Sequence, residues 1–127
     1  MNTIAPIDLH RVAPWAGLLS EADQALLRRV LRERSVKAGS HIGFRGDPVT
    51  QWVGVADGLV QLSVGSDEGR MSALGHIARG EWFDECALLR GTARRYDAIA
   101  LRDTRLLLIP DEVFHELLRS RPAFNHY

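Results

Sequence analysis

The part of the sequence best suited to chemistry is the stretch 80–97, GEWFDECALLRGTARRYD. Its pattern predicts a short helix over Glu85–Arg90, a turn at 91–92 and a strand that carries the adjacent residues Arg94 and Arg95. The N-terminus of a helix offers unpaired N–H groups that attract phosphate, and arginine binds phosphate through two parallel hydrogen bonds. A carboxylate at the helix start accepts hydrogen bonds from sugar hydroxyls. Together these groups would suit a phosphorylated sugar such as a nucleotide.

Other kinds of site lack support in the sequence. The five histidines show no metal-ligand spacing, and the serines stand outside the motifs of nucleophilic catalysis. The single cysteine, Cys86, excludes an internal disulfide and a multi-cysteine zinc site, and we expect it to be a small core residue. Trp52 and Trp82 are expected in the core or in a pocket wall rather than as stacking platforms for bases.

Length and composition narrow the class of protein. The chain has 127 residues, of which 46% are hydrophobic and 25% charged, as in a globular domain with a core of its own. Sixteen basic residues balance sixteen acidic ones, so no overall charge draws the chain onto nucleic acid or an acidic membrane. No apolar run approaches the length of about 20 residues that spans a membrane. We expect no signal peptide at the start of the chain and a reducing cytoplasm as its compartment.

The elements that must position the stretch 80–97 are short strands between two helices. We expect an N-terminal arm over residues 1–17, followed by one domain over 18–127. A capping box at Ser20–Asp23 begins a helix at 20–31, and a second helix is predicted at 110–120 with Pro110 as its first residue. Between them, alternating apolar residues and glycine turns predict strands at 34–37, 41–45, 51–56, 59–64, 70–77, 96–101 and 105–109.

Two turns and one apolar run refine this arrangement. Asp57-Gly58 predicts a hairpin, because both positions tolerate positive φ, and residues 66–69 predict a second, looser hairpin. The continuous apolar run Leu106–Ile109 predicts a strand that is buried on both faces. Many short strands with glycine-rich turns indicate a mainly β sandwich or barrel with flanking helices.

The order of these elements resembles the cyclic nucleotide-binding domain, over roughly residues 18–127. It is most similar to the N-terminal sensor domain of bacterial transcription regulators of the catabolite activator and fumarate-nitrate reduction type. Four glycines at family spacing carry the resemblance: Gly46 in FRGDPV, Gly58 in VADGLV, Gly69 in DEGRM and Gly80 in RGEWF. The resemblance implies an antiparallel jelly-roll (double-stranded β-helix) barrel with an N-terminal helix, a short helix inside the phosphate-binding cassette and a C-terminal helix.

The resemblance also implies roles for residues of the cassette. Glu85 matches the glutamate that receives the ribose 2′-hydroxyl, Arg95 matches the arginine that holds the cyclic phosphate, and Ala87 fits the small-residue position. With their neighbours Cys86 and Tyr96, they form the ligand-binding set that we expect. For Glu85 and Arg95 a structural role is equally open. Glu85 would then stabilise the start of its own helix, and Arg95 would pair with a nearby carboxylate.

Three residues depart from the family pattern. Asp84 stands where the family has glycine, Tyr96 where it has a small hydroxyl residue, and Asp97 where it has alanine. Two acids near a singly charged phosphate would repel it, and the tyrosine ring would crowd it. We therefore expect a cyclic nucleotide to bind weakly or not at all.

The resemblance implies a ligand-sensing regulatory domain, not an enzyme. Its effector would be cyclic AMP, another cyclic nucleotide or a related small molecule, without a metal. It would reach DNA only through a C-terminal domain absent from this chain, and it would not contact a membrane. A homodimer would form in the full-length protein, with this chain a monomer or weak dimer. One alternative is a binding-incompetent relative that serves as a protein–protein or dimerisation module. Another is a metal-dependent cupin enzyme, which the scattered histidines oppose.

Overall fold

Two antiparallel β-sheets form the body of the molecule in the computed structural model, which describes residues 11–65 and 69–120. A 3-10 turn at Pro14–Leu18 precedes the helices α1 (Glu21–Val30), α2 (Glu85–Arg90) and α3 (Asp111–Ser120). The strands are β1 (Arg32–Val36), β2 (His41–Gly43), β3 (Gln51–Asp57), β4 (Leu59–Gly65), β5 (Met71–Ala78), β6 (Trp82–Phe83), β7 (Asp97–Ala100) and β8 (Thr104–Pro110).

Each sheet contains four strands. One has the order β1-β8-β3-β6 and the other the order β2-β7-β4-β5. Every strand pair is antiparallel, as the sequence predicts. Among the described residues, no hydrogen-bonded strand pair joins one sheet to the other. The fold is therefore an antiparallel two-sheet jelly roll rather than a fully closed barrel.

Asp57-Gly58 is a corner between the two sheets, so the prediction of a hairpin there is wrong. Strand β3 before it pairs with β6 and β8, whereas β4 after it pairs with β5 and β7. Gly58 has φ +108° and lies against Thr104, whose hydroxyl accepts a hydrogen bond from the N–H of Leu59 at 3.2 Å. The positive φ that the sequence predicts is present, but the turn sends the chain into the opposite sheet.

Strand β8 is buried on both faces, as its apolar run predicts. Leu106 is fully buried in the core between the two sheets, with Val53, Val60 and Phe83. Leu107 and Ile109 are fully buried on the opposite face, in the core that the helices cover. The two cores thus share one strand.

Three tryptophans fill the core under the helices. The ring centroids of Trp52 and Trp82 lie 4.8 Å apart, and Trp15 lies 4.9 Å from Trp52 and 5.3 Å from Trp82. The indole N–H of Trp82 donates to the carbonyl of Val12 at 2.8 Å. Trp52 and Trp82 are thus core residues, as predicted. The described part of the expected N-terminal arm also packs into this core.

The helix ends follow the sequence closely. Ser20 caps α1 by accepting a hydrogen bond from the N–H of Asp23 at 3.2 Å. Pro110 is the last residue of β8, opposite Gln51, so α3 begins one residue later than predicted. The turn residues 66–68 and the helical turn expected at 123–127 lie outside the described residues. Over the described ranges, no helix has the length and apolar character needed to cross a membrane.

Candidate functional site

Helix α2 reverses the chain between β6 and β7 and sets up the site. The helix has the bounds that the sequence predicts. Asp84 precedes it with φ 80°, and Gly91 ends it with φ 65°. The N–H groups of Gly91 and Thr92 both point to the carbonyl of Ala87, which closes the last turn. The chain then returns past the start of the same helix through residues 92–96.

The centre of the site is a buried network of Asp84, Arg94 and Tyr96. Arg94 donates from Nε to Asp84 Oδ1 at 3.1 Å and from Nη2 to Asp84 Oδ2 at 2.6 Å. The Tyr96 hydroxyl donates to Asp84 Oδ1 at 2.7 Å and accepts from the N–H of Asp84 at 3.1 Å. The side chain of Asp84 is 0% exposed and that of Arg94 is 10% exposed. Arg94 and Asp84 thus form a bidentate ion pair, and the Tyr96 hydroxyl donates a further hydrogen bond to the same carboxylate.

The loop between β2 and β3 holds Arg94 from the other side. Its Nη1 lies 3.7 Å from Oδ2 of Asp47, a carboxylate that also accepts from the N–H of Phe44 at 2.9 Å. The N–H of Arg94 donates to the carbonyl of Asp47 at 2.9 Å, and the N–H of Gly46 donates to the carbonyl of Arg94 at 2.8 Å. A Cβ on Gly43 would overlap the guanidinium. The arginine is therefore fixed through its backbone and its side chain together.

The network fixes the protonation of Arg94 and Tyr96. Burial lowers the pKa of Arg94, but the hydrogen bonds and charge of Asp84 outweigh it, so the pKa lies above its usual value. Burial raises the pKa of Tyr96 strongly, and the charge of Asp84 raises it further. At neutral pH the guanidinium is charged and the phenol is neutral. One guanidinium thus faces two carboxylates, those of Asp84 and Asp47.

A cavity of about 350 Å³ opens beside this network. Four of the five predicted ligand-binding residues line it: Cys86, Ala87, Arg95 and Tyr96. The remaining lining residues are Leu74 of β5, Arg90 at the end of α2, Thr92 after that helix, and Arg94. Cys86 is exposed here rather than in the core, which corrects that expectation, because the second residue of α2 faces the cavity.

Arg95, the predicted phosphate ligand, lies at the exposed rim of the cavity. Its neighbour Arg94 is the guanidinium at the buried base. Within the described residues, no carboxylate forms an ion pair with Arg95. Asp97 shares its face, but the Asp97 carboxylate accepts from the N–H of Arg45 at 2.7 Å instead. Asp97 is therefore not among the residues that line the cavity, whereas Tyr96 is.

Glu85 lies outside the cavity lining. Burial raises the pKa of the Glu85 carboxyl above its usual value. Hydrogen bonding with the backbone of Glu85 and Cys86 and with Trp52 opposes this shift, and the nearby charge of Asp84 adds to it. The structural alternative, in which Glu85 stabilises the start of its own helix, stays a prediction.

The sequence predicts Arg95 rather than Arg94 as the phosphate ligand, and it does not predict the pairing of Arg94 with Asp84. Strand β7 buries Ala98 and Ala100 completely. Side chains of a strand alternate between its two faces. Arg94 and Tyr96 stand four and two residues before Ala98, so they lie on the buried face, and Arg95 lies on the exposed one. The role of Asp84 has no comparable local signal, since its partners lie 10 and 12 residues away.

In the part of the chain that the structure describes, no group of three or more His, Cys, Asp or Glu residues comes together that could hold a metal ion.

The chain matches known proteins over most of its length. The sequence model of the cyclic nucleotide-binding domain matches residues 33–121. The Cyclic AMP receptor protein of Thermus thermophilus is 32% identical over 117 residues, which make up 92% of this chain and 51% of that protein. A Rhodopseudomonas palustris protein named for a potassium channel is 30% identical over 111 residues, which make up 87% of this chain and 26% of that protein.

A solved structure has the same fold. The crystal structure of the Thermus thermophilus Catabolite Activator Protein superposes with a TM-score of 0.77 at 29% identity, covering 90% of this chain and 54% of that one. The jelly-roll fold that the sequence predicts is thereby confirmed. The chain spans about half the length of the receptor relative and about a quarter of the channel relative.

Proposed function

The chain belongs to the cyclic nucleotide-binding domain family, and from this we propose that it is a ligand-sensing regulatory domain. Its effector would bind in the cavity between α2, residues 92–96 and β5. The observation that carries the proposal is the cavity itself. It has a volume of about 350 Å³, and arginine side chains stand at its base and its rim. A pocket of this size with few, convergent polar groups is typical of small-molecule sites.

The leading effector class is a cyclic nucleotide, with cyclic AMP first because of the receptor relative. The ligand would lie against Cys86 and Ala87, with its anionic group reached by Arg95 from the rim and the ring of Tyr96 beside it. Glu85 lies outside the cavity lining, so its side chain would have to turn towards the cavity to receive a sugar hydroxyl. Nothing in this arrangement calls for a metal or for a catalytic group.

We place this domain in a transcription regulator, as in the receptor relative of which it spans 51%. DNA contact would come from a separate C-terminal domain, and a homodimer would form in the full-length protein. The charges of the chain support this division, because 16 basic and 16 acidic residues leave no net positive field for DNA.

A second candidate function is an interaction or dimerisation module that needs no ligand. The pairing of Arg94 with Asp84 favours it, because the buried guanidinium of the cavity already has an anionic partner. The domain would then provide a binding surface for another protein or for a second copy of this chain.

Thermal shift and calorimetric titration with cyclic AMP, cyclic GMP and their linear monophosphates test the leading proposal. Cys86→Trp fills the cavity, and Leu89→Trp introduces the same side chain at an exposed residue of α2 outside it. We expect a ligand that stabilises the wild type and the Leu89 variant but not the Cys86 variant. If no nucleotide stabilises the wild type, the interaction module becomes the leading function.

A further inference from the structure

We propose that Asp84 sets the ligand specificity of the cavity by acting as an internal anion on Arg94. This inference deepens the proposed function, and it relies on that function only in taking the cavity as the effector site. The Asp84 carboxylate occupies the two-pronged edge of the guanidinium through Nε and Nη2. That edge is the one through which an arginine binds a phosphate or a carboxylate of a ligand.

The remaining donors of Arg94 offer little to an incoming anion. Nη1 is directed to Asp47 at 3.7 Å, and only 10% of the side chain is exposed. A ligand phosphate would be the third anion around one guanidinium. To take the favoured edge, it would have to displace a carboxylate that is fully buried and that would keep only the Tyr96 hydroxyl. Leaving a buried charge without its partner is strongly unfavourable.

The backbone shows that Asp84 is held in place by these contacts. It is the only non-glycine residue with positive φ in the described part of the chain, at 80°. Side chains with a Cβ disfavour this conformation, so a residue that keeps it needs surrounding interactions that impose it. The Arg94 pair and the two hydrogen bonds with Tyr96 supply them.

The consequence is a cavity whose deepest cation is already neutralised. Arg90 and Arg95 line the same cavity, and neither pairs with a carboxylate in the described ranges. An anionic effector would therefore be held at the rim by these two residues. Arg94 and the rest of residues 92–96 would keep their positions without any ligand. Removing the Asp84 charge would create a buried anion site at Arg94.

Two variants of Asp84 test this, because each is compatible with the backbone. Asp84→Gly suits φ 80° best and removes the carboxylate, and Asp84→Asn tolerates the same φ while it keeps the shape and loses the charge. Asp97→Asn is the matched control. Asp97 belongs to the same stretch 80–97, but its carboxylate accepts a hydrogen bond from the N–H of Arg45 and does not contact Arg94. The probes are inorganic phosphate, cyclic AMP and cyclic GMP, titrated by calorimetry into folded protein checked by circular dichroism.

We expect at least a tenfold gain in affinity, equivalent to about 1.4 kcal/mol, for phosphate or a cyclic nucleotide in either Asp84 variant and none in the Asp97 control. Adding Arg94→Gln to the Asp84 variants should abolish the gain. If neither variant gains affinity, or if the gain survives loss of Arg94, Asp84 is not the internal anion. Tight nucleotide binding by the wild type would also overturn this inference while it supports the proposed function. A gain for phosphate alone, with no nucleotide bound by any variant, would uphold the internal anion and contradict the proposed effector.

Discussion

The guanidinium of Arg94 occupies the space that a side chain on Gly43 would fill. A Cβ built on Gly43 overlaps Nη1 and Cζ of Arg94, whereas the backbone of Gly43 has an ordinary φ. The glycine is therefore needed for room and not for its conformational freedom. Strand β2 and the segment after α2, which lie about fifty residues apart in the sequence, meet at this point.

Gly43→Ala should disturb the site because the added methyl group must displace a guanidinium that Asp84 and Asp47 hold in place. Overpacking of this kind costs about 1–3 kcal/mol of unfolding free energy, which urea denaturation would measure. Gly75→Ala in β5 is the matched control, since its Cβ would meet nothing within 4 Å. Equal stabilities of the two variants would contradict the contact.

The adjacent arginines should differ sharply on substitution. Arg94→Gln leaves the buried carboxylate of Asp84 without its cation and should lower the unfolding free energy by about 3–5 kcal/mol. Arg95→Gln changes an exposed side chain and should stay within about 0.5 kcal/mol of the wild type. Urea denaturation of both variants side by side measures the difference. A larger loss of unfolding free energy for Arg95→Gln than for Arg94→Gln would contradict the buried position of Arg94 and the exposed position of Arg95.

Tyr96→Phe should destabilise the domain although the ring remains. The hydroxyl both donates to the carboxylate of Asp84 and accepts from its N–H, so its removal leaves buried polar groups short of partners. Such a loss costs about 1–3 kcal/mol, which thermal and urea unfolding would register. An unchanged stability would mean that water replaces the hydroxyl.

Glu85→Gln should change how stability depends on pH. Because the folded state raises the pKa of Glu85 above its ordinary value of 4.5, the folded protein binds more protons than the unfolded chain just above that pH. The contribution of Glu85 to stability therefore falls as the pH rises from below 4.5 to above the folded pKa. Glutamine keeps an acceptor oxygen and does not titrate.

Urea denaturation at about pH 3.5 and pH 7 measures this effect, since these values lie on either side of the ordinary glutamate pKa. The stability of the Gln variant relative to the wild type should be higher at the upper pH. A difference of the same size at both values would show that Glu85 titrates alike in the folded and unfolded chain.

The sequence alone determined the elements whose signals are local. The bounds of α2, the cap at Ser20 and the double burial of Leu106–Ile109 all follow from neighbouring residues, because helix ends and apolar alternation depend on the chain nearby. The family and its jelly-roll fold were also readable, since glycines at turns mark the path of the chain.

Only the tertiary structure decided which sheet each strand joins and which arginine enters the site. A positive φ at Gly58 is a local property, but whether β4 pairs with β3 or crosses to the other sheet depends on partners far along the chain. Likewise, an irregular turn separates α2 from β7, so the sequence of the turn does not decide which arginine faces inward. That is decided by the burial of Ala98 and Ala100 and by the contact of Arg94 with Asp84. The partner of a buried charge depends on which residues lie close to it in space, and this is decided by the packing of the whole domain.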